Sequence, residues 1–162
     1  MILDKFLKRS SKPPKADNFF IFIESPIKVV GPQIFLWSQA NWWPEKGDME
    51  VVDIPAGGIR PGTQSVHTIK GIFTAKLESE VSQVVPERLI ERTFTKGLLK
   101  GVETISVEER YNGTRLDVKL QARPRNIISH LLWPTLYRSA YMESIRLILQ
   151  NIKNYCLSVQ RL

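Results

Sequence analysis

The run from Gly62 to Gln121, GTQSVHTIKGIFTAKLESEVSQVVPERLIERTFTKGLLKGVETISVEERYNGTRLDVKLQ, decides the fold. Apolar and polar residues alternate along it with a period of two, and turn signals cut it into strand-length pieces. The sharpest signal is Asn112-Gly113, because these residues tolerate the positive φ angles of a two-residue hairpin. Pairing outward from it sets Leu116 opposite Glu109, Val118 opposite Val107 and Leu120 opposite Ile105. Arg115, Asp117 and Lys119 fall between the three apolar residues, so Leu116, Val118 and Leu120 mark the inner face of an antiparallel sheet.

The same counting extends to the neighbours. Through a turn near Gly97 to Gly101, Thr93 comes beside Glu103, Glu91 beside Ile105 and Leu89 beside Val107. Across Pro86-Glu87, the residues Gln83, Val81, Ser79, Leu77, Ala75 and Phe73 share that side, while Lys76, Glu78 and Glu80 point out. The resulting face is not purely apolar, since Glu91, Glu103, Thr93 and Ser79 sit among leucines and valines. An unpaired buried carboxylate is costly, so two inward glutamates fit either a wet cavity or a rim where Arg92 or Lys100 neutralises them. His67 lies on a strand from Thr63 to Lys70. A hydrogen-bonded strand histidine is its plainer reading, beside a catalytic one.

Beyond the strands the chain reads as one long helix, Asn126 to Val159. Leu131, Leu132, Met142, Ile145, Leu149, Ile152, Cys156 and Val159 recur at helical spacing, with Arg146, Gln150, Asn151, Lys153 and Asn154 opposite. A sheet followed by a single long helix buries its apolar face on that helix. Pro134 starts or kinks the regular helix, because its ring removes a backbone bond. Tyr137 and Tyr141 follow, with hydroxyls that need partners when buried, and so suit the polar end of a pocket. Upstream, Phe19 to Glu24 reads as a strand closed by Ser25-Pro26, and Ile27 to Trp37 as two short helices split at Gly31-Pro32. Asn41-Trp42-Trp43-Pro44 forms an aromatic corner, and Met49 to Ile54 a second strand.

At 162 residues the chain has the length of one domain, and its formal charge of +7 is uneven. Lys5, Lys8, Arg9, Lys12 and Lys15 against Asp4 leave +4 in residues 1–15. Residues 1–17 are therefore read as a basic N-terminal extension and 18–162 as the folded domain. Ile2, Leu3, Phe6 and Leu7 give the extension an apolar side. Its plain reading is a solvated leader, and its functional one a peripheral contact with a membrane surface or an acidic partner. No basic stripe interleaved with aromatics follows, so nucleic acid is not an expected partner.

Two histidines and one cysteine lack HExxH or CxxC spacing, and the loop at Gly57-Gly58 leads to a strand rather than a helix. No metal, cofactor or phosphate loop is expected, and no Gly-x-Ser-x-Gly elbow points to a hydrolase. Cys156 reads as a buried, inert thiol. No apolar run approaches the ~20 residues of a membrane span, and no signal peptide is visible, so a cytoplasmic protein is expected. These patterns carry no information on oligomeric state.

In order, the strand at Phe19 to Glu24, Ser25-Pro26, two short helices, Asn41-Trp42-Trp43-Pro44, antiparallel strands containing Asn112-Gly113-Thr114-Arg115-Leu116, and a long last helix make a recognisable sequence of elements. Over Asn18 to Val159 it resembles the helix-grip fold of the START-like, polyketide-cyclase-like and birch-pollen-allergen-like superfamily. It departs from that pattern at Gly31-Pro32 and in its basic extension. The resemblance implies an α+β fold, a curved antiparallel sheet of about seven strands wrapped on the last helix around an apolar cavity. It also implies lipids, polyketides, quinones or similar hydrophobic molecules as cargo.

The first functional expectation is a non-catalytic binder or carrier of such a molecule. Its lining would be Phe73, Leu77, Ser79, Val81, Leu89, Glu91, Thr93, Glu103, Ile105, Val107, Leu116, Val118 and Leu120 on the sheet, with Tyr137, Tyr141, Met142, Ile145 and Leu149 on the helix. The alternative is a cyclase-, dehydratase- or isomerase-like enzyme on a polyketide-type substrate. There Glu103 or Glu91, its pKa raised by burial, is the general base, while Arg92, His67 or Tyr141 steadies an enolate.

Overall fold

Among the described residues, 15–54 and 58–160 of a computed structural model, the alternating segments become seven strands. They are β1 (Asp17–Ile23), β2 (Met49–Ile54), β3 (Gln64–Ile69), β4 (Ala75–Val85), β5 (Leu89–Lys96), β6 (Leu99–Arg110) and β7 (Gly113–Pro124). All pair antiparallel in the order β1-β7-β6-β5-β4-β3-β2, so six strands form a meander and β1 joins its far edge against β7. The basic segment 1–14, on which a membrane or acidic-partner contact was expected, lies outside the described residues, as does 55–57 of the Gly-rich loop. Among the described residues no helix is long and apolar enough to cross a membrane.

Two short helices, α1 (Ile27–Val30) and α2 (Gln33–Leu36), connect the two edges of the sheet. The Gly31-Pro32 break between them has a steric reason. A Cβ on Gly31 would lie 2.5 Å from the Glu87 carbonyl oxygen, so the β4–β5 turn approaches too closely for any side chain. After β7 come α3 (Ile127–Leu132), a five-residue π-helical turn (Trp133–Tyr137) and α4 (Arg138–Val159). Asn126 caps α3 by accepting the Ser129 N–H at 2.8 Å. The π turn falls at Pro134, where the ordinary helical bond cannot form. From α4, Tyr141, Ser144, Ile145, Ile148, Leu149, Ile152 and Cys156 are buried against the sheet. Leu131 and Val159, expected on this stripe, are exposed. Each buried Ile or Leu contributes about 1.5–3 kcal/mol. Cys156 is buried, which pushes its thiol up to about 11.

The inner face is that of Leu116, Val118 and Leu120, but the hairpin behind it is two residues out from the counting. The observed pairs are Val107–Leu116, Ile105–Val118 and Glu103–Leu120, with Tyr111 and Asn112 at the tip. Asn112 takes the positive φ, 65°, alone, and Gly113 serves as the place where β7 passes β1: a Cβ there would meet the Ile23 carbonyl oxygen at 2.3 Å. A shift of two leaves every side chain on its own face.

The shift of one at the next connection does not. Thr93 pairs with Val102, Arg92 with Glu103 and Ile90 with Ile105, so Ile90, Arg92 and Phe94 turn inward. Leu89, Glu91 and Thr93, expected inside, face outward, and Glu91 accepts a hydrogen bond from the exposed Ser82 hydroxyl at 2.9 Å. A bulge between Val81 and Gln83 likewise sends Gln83 out. Phe73 is exposed because β4 begins only at Ala75, and the alternation does not reach back into the connection.

Candidate functional site

Strand register gathers the polar inward residues. Ser65 on β3 stands between Asp53 on β2 and Ser79 on β4, and His67 follows Ser65 two positions along the same face. Arg92 on β5 is paired directly with Glu103 on β6. Tyr141 comes from the first turn of α4, with the Trp133 ring 5.7 Å away. All of these side chains are buried.

Arg92 organises the group. Its Nη1 donates to Glu103 Oε1 at 3.3 Å, its Nε donates to the Ser65 hydroxyl at 3.2 Å, and its Nη2 stands 3.9 Å from Asp53 Oδ1. The Ser65 hydroxyl in turn donates to Asp53. Glu103 receives a second hydrogen bond, on Oε2, from the Tyr141 hydroxyl. His67 Nε2 approaches Glu103 Oε1 to 3.6 Å, an electrostatic contact rather than a made hydrogen bond. Two ring nitrogens of His67 and Nη2 of Arg92 are buried without a hydrogen-bond partner.

These contacts decide the charge of Glu103. Burial alone would raise its pKa, but His67, Arg92 and Tyr141 together hold it at about 2. Burial and the adjacent Glu103 carboxylate push Tyr141 well above the ordinary tyrosine value. The pair is thus a permanent anion and a permanent phenol at ordinary pH. The expectation that burial makes Glu103 a neutral-pH base is corrected here, as is the placement of Glu91 in the interior. Of the two glutamates, Glu103 is the one that Arg92 neutralises, inside the fold rather than at a rim.

Of the other expected lining residues, Leu77, Ser79, Val81, Ile105, Val107, Leu116, Val118 and Leu120 lie buried on the inner face, and Tyr137, Tyr141, Ile145 and Leu149 are buried on the helical side. Met142 is only half-buried and lies beside the stripe, in an open groove of about 450 Å³ between β1 and α4 that Phe19, Ile21 and Arg146 also line. Asp53 and Ser65 were not anticipated, although Met49-Val51-Asp53 and Ser65-His67-Ile69 each carry the in-phase apolar signal. Among the described residues no group of three His, Cys, Asp or Glu side chains could hold a metal ion.

Comparison with solved structures places this geometry. The protein TTHA0849 from Thermus thermophilus superposes with a TM-score of 0.66 over 90% of this chain and 99% of its own, at 15% identity. Ginseng major latex-like protein 151 from Panax ginseng gives 0.64 over 90% and 99%, at 10% identity. Ara h 8.0201 gives 0.62 over 89% and 98%, at 13% identity. The chain has the helix-grip fold. No family model and no curated protein matches the sequence. What is shared at these identities is the helix-grip architecture itself, a sheet curled on the last helix. The polar group inside this helix-grip chain stands on its own geometry.

Proposed function

We propose that the protein binds an apolar small molecule carrying a hydrogen-bonding oxygen, held between the sheet and α4 with the oxygen toward Arg92 and His67. The observation that carries this reading is the unmet hydrogen-bonding capacity of Arg92 Nη2 and His67 Nδ1, both buried between the sheet and α4. A buried polar group without a partner costs about 1–3 kcal/mol, and an occupant that supplies the partner recovers that cost on binding. Leu77, Ile105, Val118 and Ile145 supply the apolar walls, and Glu103 and Asp53 hold the guanidinium in place. Binding is favoured over catalysis because a carboxylate with a pKa of about 2 is a poor acceptor of a substrate proton near neutrality.

A dansyl-labelled medium-chain fatty acid tests the reading by fluorescence titration. His67→Phe and His67→Gln should each weaken uptake by about tenfold, the factor expected for one lost hydrogen bond, while circular dichroism shows the fold intact. Unchanged affinity in both folded variants would remove the polar end of the site.

A further inference from the structure

We propose that one end of the sheet docks on an anionic lipid surface through Ile72, Phe73, Ile127, Ile128 and Leu131. This docking surface is independent of the interior occupant.

Three segments meet at that end: the connection after β3, the tip between β5 and β6, and the stretch from Arg125 into α3. Arg125 ties two of them, its backbone N–H donating to the Leu98 carbonyl at 2.9 Å and its guanidinium to the Phe94 and Leu99 carbonyls at 3.2 and 2.9 Å. Gly97 passes so close to β4 that a Cβ would lie 2.4 Å from the Lys76 carbonyl oxygen, and a Cβ on Gly71 would lie 3.4 Å from the Tyr137 ring. On this frame Ile72 is 80% exposed, Phe73 71%, Ile127 89%, Ile128 68% and Leu131 67%. Helix α3 buries Ser129 and half-buries Leu132 against the core, but turns Ile127, Ile128 and Leu131 to solvent. Scattered exposed apolar residues need no explanation, but five large ones on the segments of one end do.

Charge selects the occupant. Residues 70–76, 95–100 and 123–138 contain seven Lys and Arg, against four carboxylates at the same end, Asp17, Asp48, Glu50 and Glu78, so the end is net positive. Lys70, Lys96 and Arg138 are engaged by Glu50, Glu78 and Asp17, while Lys76 and Lys100 make no ion pair among the described residues. The opposite end mixes its signs, with Glu87, Glu108 and Glu109 against Arg88 and Arg110. Apolar side chains inside a cationic collar match the acyl boundary and headgroups of an anionic bilayer. A second copy of the chain fits poorly, because a two-fold contact would set one collar against the other. β1 also starts at this end, with Asp17 paired with Leu120 and bonded to Arg138.

The full-length protein should co-sediment with vesicles of phosphatidylcholine and phosphatidylserine, less with phosphatidylcholine alone, and less as salt is raised. Phe73→Asp with Ile128→Asp should lower the partition coefficient by about tenfold or more without changing the thermal melt, since both side chains are exposed. Tyr111→Asp, at the opposite end, should bind as the parent does. Equal binding by the Phe73/Ile128 double variant, or none by the parent, overturns the proposal. So does a dimer in sedimentation equilibrium that the double variant dissolves, which would assign the face to a second copy.

Discussion

Arg92 is the side chain whose loss should be felt most, because three strands place their acceptors around it. Arg92→Met leaves Glu103 buried opposite an apolar side chain, and an uncompensated buried charge costs about 3–5 kcal/mol. Arg92→Met with Glu103→Gln removes both members, and urea unfolding should show much of that loss recovered. Strictly additive losses would mean that the two groups are not coupled. Glu103 also sets the response to acid. Its carboxyl falls from the ordinary 4.5 to about 2 in the fold, so between those values the unfolded chain takes up a proton that the native chain refuses. The stability it contributes is therefore complete above pH 4.5 and drains away as the pH falls toward 2. Glu103→Gln should start from a lower stability and lose less of it across that window. Parallel stability curves for parent and variant would place the acid sensitivity elsewhere.

Among the elements, β1 and β7 approach too closely at Gly113 to admit a side chain. A methyl group on Gly113 would lie 2.3 Å from the Ile23 carbonyl oxygen and 2.8 Å from the Phe22 ring. Gly113→Ala should therefore cost about 1–3 kcal/mol by overpacking, measured by thermal unfolding. Gly47→Ala, which meets nothing nearer than 3.5 Å, should be close to neutral. The strands and the α4 stripe were legible because periodicity is local, needing only the residues that carry it. The facing of β5 was not, because it depends on whether an odd or even number of residues closes the Gly97 connection. Ile90 and Phe94 carry the inward phase in the sequence, against Leu89, Glu91 and Thr93, which the turn length favours. That single parity error placed Glu91 inside and Arg92 outside. The Arg92–Glu103–Tyr141 contacts were also hidden for another reason: they join residues far apart in the chain, and no local pattern announces them.

Across the whole molecule, the sheet lays its strands side by side in the order the chain makes them, with one exception. β1, made first, has one neighbour, β7, and Asp17 there meets Leu120. Until the chain has been extended that far, the segment Asn18–Ile23, NFFIFI, has no strand to pair with. Long-range pairing of this kind slows folding, and an unpaired apolar strand recruits the same strand from another chain. Refolding yield should accordingly fall as protein concentration rises. Phe20→Thr, on the outward side of β1, should restore it while leaving the core intact, read by light scattering during dilution from urea. A yield insensitive to both concentration and substitution would show that β1 finds its place early. Otherwise the growing chain carries this apolar strand open until β7 has been made, and the sheet cannot close before then.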